Sequence, residues 1–108
     1  MTTFDEREAA FENKFAHDEA LRFKAIARRN KLLGLWAAQR LGKSGAEADA
    51  YAKSVVVADL EKAGDDDVLR KVRGDLEAAG VADASEIEIR ARMDMLMAQA
   101  VKEIMAGR

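Results

Sequence analysis

A chain of 108 residues has room for one domain with a small core. With 49% apolar and 35% charged residues, it reads as a well-solvated globular protein, and no run approaches the roughly 18–20 apolar residues of a membrane span. The absence of cysteine excludes disulfides and thiolate metal sites and fits a reducing cytoplasm; a net charge of −2 argues against a general nucleic-acid binder.

Proline is also absent, and in a chain rich in Ala, Glu, Lys, Arg, Leu and Met this predicts an all-α fold. The charge is unevenly spread: −2 over residues 1–17, +5 over 18–43, −6 over 44–86 and +1 over 87–108. A basic stretch followed by an acidic one is most simply two elements that pair within one fold.

The first seventeen residues carry four acids and no apolar h-region, so they do not read as a signal peptide. Thr3 and Glu6 form a capping-box pattern. Phe4, Phe11 and Phe15, spaced by seven and four, fall on one narrow helical stripe, with Glu6, Glu12 and Lys14 off it and Glu8 at its edge. Two fates are open to this amphipathic segment. It extends the first helix and packs on the body, or it frays alone and orders on a partner as a helix laid in a groove.

Helices are predicted at about 18–41, 46–63, 66–79 and 86–106. The first is apolar nearly all round from Leu32 to Leu41, which suits a helix packed on several sides. Arg22, Arg29, Trp36, Arg40 and Lys43 follow spacings that share one face. Guanidinium groups bind phosphate and an indole stacks on a base. The alternative is that Trp36 is core and the bases neutralise the acidic second and third helices.

Gly42-Lys43-Ser44 spells the end of a phosphate-binding loop, but the loop's first glycine would stand at Ala37, inside a helix-forming run with no preceding strand. The triplet reads instead as a helix stop and a new start. Gly42, Gly64 and Gly80 are expected as left-handed residues just past helix ends. Ser44-x-x-Glu47 and Ser85-x-x-Glu88 are expected capping boxes. Asp65, Asp66 and Asp67 suit a helix N-terminus better than a magnesium site.

The predicted core faces are Ala48, Tyr51, Ala52, Val55, Val56 and Ala63 on the second helix; Val68, Leu69, Val72, Leu76 and Ala79 on the third; and Ile89, Met93, Leu96, Met97, Ala100, Val101 and Ile104 on the fourth. Short connections make sequential helices antiparallel neighbours, so a four-helix bundle over 18–108 is the economical solution. The methionines Met93, Met95, Met97 and Met105 read as core filler. The single histidine, His17, has no second His or Cys to build a metal set, no catalytic constellation is visible, and a non-enzyme is expected.

The stretch from Phe15 to Gly45, with the run Arg28-Arg29-Asn30-Lys31-Leu32-Leu33-Gly34-Leu35-Trp36-Ala37-Ala38 at its centre, and the stretch from Ala50 to Leu76 closely resemble the ζ subunit of alphaproteobacterial F-type ATP synthases. The likeness covers essentially the whole chain; the tail after about Val81 is generic. The resemblance implies a four-helix bundle with a mobile amphipathic N-terminal segment. It implies inhibition of ATP hydrolysis by the synthase's catalytic head, with about Met1 to Ala16 as the inhibitory element; the stripe of Phe4, Phe11 and Phe15 is then the expected set of apolar contacts.

Its expected partners are the α, β and γ subunits, with no nucleic acid and no direct membrane insertion, in a cytoplasmic protein peripheral at the inner membrane. No cofactor is expected to be required. ADP or ATP is the expected non-hydrolysed ligand, and Trp36, Arg40 and Lys43 are the compact set that would hold it. The alternative is a small helical adaptor acting on another partner.

Overall fold

The computed structural model describes residues 18–61, 64–82 and 85–107. The phenylalanine stripe and His17 lie outside them. Four helices follow in chain order: α1 (Glu19–Arg40), α2 (Gly45–Glu61), α3 (Asp65–Ala78) and α4 (Glu86–Met105). No strand occurs among the described residues, and the all-α four-helix bundle expected from the apolar spacing is the observed fold.

The caps decide where each helix begins and ends. Asp18 starts α1: its Oδ1 accepts the Leu21 amide at 3.1 Å, satisfying one of the donors a helix start leaves open. Ser85 starts α4, accepting the Glu88 amide at 3.2 Å, as its capping-box pattern requires. At the end of α1, Gly42 takes φ +77°, its amide reaches Gln39 O, and Lys43 N–H donates to Ala38 O at 2.9 Å. This is a Schellman stop, and Gly80 repeats it at φ +75° with Val81 N–H on Leu76 O. The Lys43 amide is thus engaged with the helix, consistent with a helix stop rather than a phosphate loop.

Two expectations are corrected. Gly64 does not close α2. It is the N-cap of α3 at φ 147° and ψ 142°, an extended positive-φ geometry open essentially to glycine. The run of three aspartates can therefore start the helix immediately after it. The Ser44 box does not form: α2 begins at Gly45, directly after Ser44, but Gly45 stands at φ +56°, outside the right-handed helical region, and among the described residues no amide donates to the Ser44 hydroxyl.

The core joins all four helices: Leu33, Val55, Val68, Val72, Leu76 and Ile89 are fully buried, with Met93 and Leu96 beside them. Each such side chain contributes about 1.5–3 kcal/mol relative to exposure. Helix α1 is central. It packs chiefly on α2, then on α4, and also reaches α3, which explains its apolar character on several sides. At the α1–α2 crossing, Gly34 lies so close to Ala52 that a Cβ on Gly34 would stand 2.5 Å from the Ala52 Cα.

Three apolar positions depart from expectation. Ala79 is the exposed C-cap of α3 rather than a core residue. Met95 and Met105 are 51% and 38% exposed, because the core face of α4 is already filled by Ile89, Met93, Leu96 and Ala100. Ala63 lies outside the described residues.

Candidate functional site

The face predicted on the first helix is divided by the fold. Arg29 is buried at 3% exposure. Its Nε and Nη2 both donate to Asn30 Oδ1, at 3.1 and 3.0 Å, and Nη2 also donates to Asp65 Oδ1 at 2.8 Å. That arginine ties α1 to the start of α3 and is committed to the fold. The hydrogen bond from its guanidinium holds the Asp65 carboxyl below the usual carboxylate range, against a smaller opposing effect of burial. Lys43 stands beyond the end of α1 and so leaves the helical face. Arg22 remains exposed near the helix start.

Trp36 and Arg40 do come together. The Arg40 guanidinium lies over the Trp36 ring at 4.8 Å from its centroid, and Arg92 of α4 lies over the same ring at 5.2 Å. With Glu88, Ala91 and Met95 these residues line an open groove of about 300 Å³ between α1 and α4. The indole is only half-buried, packed against the core on one side and open to the groove. A flat ring beside two guanidinium groups can take a planar group next to an anionic one; Glu88 opposes a large negative charge. Arg92 and Glu88 were not legible as partners of Trp36. The available signal was their i,i+4 spacing on one face of α4.

The aspartate run has a clear structural use. Asp65 pairs with Arg29 of α1, Asp66 with Arg90 of α4, and Asp67 with Arg70 one turn along α3 at 2.6 Å. Each carboxylate turns to a different arginine, so the three do not converge on a common point. All three also sit in the first turn of α3, where the helix dipole favours them. The pairing of basic first helix with acidic third is realised in the Arg29–Asp65 contact.

A second polar cluster joins α2 to α3. Tyr51 donates its hydroxyl to Asp75 Oδ2 at 2.8 Å, and Lys71 Nζ reaches the same oxygen at 3.1 Å. Burial, then the bond to Asp75, push the phenol above its ordinary range. Among the described residues no helix is long and apolar enough to cross a membrane.

The predicted contacts Phe4, Phe11 and Phe15 fall outside the described residues, so the structure joins no geometry to them. Comparison with known proteins bears on the chain as a whole. A comparison with curated proteins returns no match. Among solved structures, a protein determined by NMR in solution is 53% identical, superposes with a TM-score of 0.70, and is matched over 82% of this chain and 99% of its own. The family model of the ATPase inhibitor subunit zeta matches residues 1–103. With that match running from the N-terminal segment almost to the end of α4, the chain belongs to the ATPase inhibitor subunit zeta family.

Proposed function

We propose that this chain is a regulatory, non-catalytic subunit that blocks ATP hydrolysis by the catalytic head of an F-type ATP synthase, with residues 1–17 as the inhibitory element and the bundle as its anchor. The observation that carries the reading is the family match, which includes the N-terminal segment as well as the helices. Phe4, Phe11 and Phe15 are the apolar anchors. Burying three phenylalanines at about 1.5–3 kcal/mol each supplies several kcal/mol, and ordering the segment consumes much of it. The product is a reversible inhibitor.

The partners are the α, β and γ subunits, which place the protein on the cytoplasmic side of the inner membrane, peripheral to it. The regulatory ligand is ADP or ATP, bound without hydrolysis. The groove at Trp36 and Arg40 supports this placement, since a flat ring flanked by two guanidinium groups suits a base next to phosphate; Lys43, just beyond the helix end, is the third contact.

The test is ATP hydrolysis by the isolated catalytic head, with the full chain and with a version lacking residues 1–16. The full chain inhibits and the shortened one does not, while both melt alike. Equal inhibition by the two would refute the assignment to the N-terminal segment. Titrating ADP into isotope-labelled protein tests the ligand site: amide shifts centred on α3, with residues 36–45 silent, would refute the placement at Trp36 and leave the inhibitor reading intact.

A further inference from the structure

Phe23 stands 64% exposed on α1, one and a half turns into the helix that follows directly on residues 1–17. At 100° per residue, Ala20, Phe23, Lys24, Ala27 and Lys31 fall within one sector of α1 about 100° wide, and all five are exposed. Gly34 and Ala38 continue that sector further along the helix. There it is buried, with Gly34 against Ala52 of α2. One sector of α1 is thus covered along its C-terminal half, where Gly34 meets α2, and open along its N-terminal half.

Arg28 pairs with Glu103 and Arg29 with Asp65. Lys24 and Lys31 have no ion-pair partner among the described residues. An exposed phenylalanine at one edge of a sector whose other edge carries two lysines is an uncommon arrangement for a solvated helix face.

We infer that the Phe23 face of α1 is a second contact with the ATPase, continuous with the inhibitory segment, and that it fits an acidic surface with an apolar recess on the catalytic head. The inference rests on the proposed role of residues 1–17. Three observations select this occupant. A partner holding the segment up to Asp18 has Phe23 about 8 Å further along the helix axis, within the same footprint. Lys24 and Lys31 call for a negatively charged surface. Self-association through this face would set lysine against lysine, which disfavours a second copy.

The test uses the full chain, its binding to the catalytic head by surface immobilisation, and its inhibition of hydrolysis. Phe23→Ala weakens binding and inhibition roughly tenfold with an unchanged melting curve, since the side chain is exposed. Lys24→Glu with Lys31→Glu slows association at low salt, and the difference closes at high salt. Ile87→Ala removes an apolar side chain that is 81% exposed on α4 and changes neither readout.

If Phe23→Ala and the lysine pair bind and inhibit like the parent while removal of residues 1–16 abolishes inhibition, this inference is wrong and the inhibitory segment stands. A parent chain that neither binds nor inhibits overturns both. Stronger inhibition by Phe23→Ala would mean that the face holds residues 1–17 in the free protein, and a Phe23-dependent dimer in sedimentation would mean that it holds a second copy; either overturns the ATPase contact.

Discussion

Gly34 and Gly74 both stand inside helices, yet alanine at the two positions should act in opposite directions. Helix propensity alone favours Gly→Ala in a helix interior by about 0.8–1 kcal/mol at each. At Gly74 nothing lies within 4 Å of the new Cβ, so the gain is realised and melting rises by about 4 °C for a domain of this size. At Gly34 the new Cβ would stand 2.5 Å from Ala52 Cα and 3.1 Å from Ala52 Cβ. Carbon atoms prefer about 3.5–4 Å, so α1 and α2 must part by roughly 1 Å at their closest approach.

Both helices are held by the common core through Leu33, Ala37 and Val55, and overpacking of this kind costs about 1–3 kcal/mol. Set against the propensity gain, we predict a net loss of up to about 2 kcal/mol for Gly34→Ala, or up to about 8 °C. Thermal and urea unfolding followed by circular dichroism measure both variants. The clash is with the backbone, so adding Ala52→Gly does not restore the Gly34→Ala variant. A Gly34→Ala protein that melts at or above the parent would refute the close-packing argument, as would full rescue by Ala52→Gly.

Asp65→Asn is predicted to cost about 2 kcal/mol at neutral pH by weakening the partner of a buried guanidinium. Because the Asp65 carboxyl is held low in the folded state, its contribution is present above the unfolded carboxylate value near 4 and is lost as pH falls through the lower folded value; urea midpoints of parent and variant should therefore converge on acidification. The single tyrosine makes a direct test of the α2–α3 cluster possible: absorbance at the tyrosinate band should show Tyr51 remaining protonated above the free phenol value of about 10, and ionisation at that value would mean the bond to Asp75 is absent in solution. If the phenylalanine stripe anchors the inhibitory segment, Phe11→Ala weakens inhibition more than Glu8→Ala, and the reverse order in a hydrolysis assay would exclude an apolar mechanism.

Helix number, helix type and most of the core were legible because they depend on local chemistry. Apolar residues at helical spacing placed Val68, Leu69, Val72 and Leu76 inside. Glycine at Gly42 and Gly80 supplied the left-handed residue that a Schellman stop needs, and a hydroxyl at Ser85 supplied the cap. Each of these signals is contained within one or two turns of chain. Gly64 was misread for the same reason: a glycine between two helices can end one or start the next, and the chain near it carries both signals.

What the tertiary structure decided is which charged and aromatic residues are free to act. By spacing alone, Arg29, Trp36 and Arg40 were equivalent members of one face. The approach of α3 consumed Arg29 through Asp65, thirty-six positions away, while the approach of α4 set Arg92 over the Trp36 ring. Phe23 lies on the sector of α1 that α2 covers only further along, and no local pattern distinguishes the covered half from the open one. Periodicity assigns a residue to a side of its own helix; whether that side meets a partner, an ion pair or water depends on where the other helices lie, and that is settled only when the core closes.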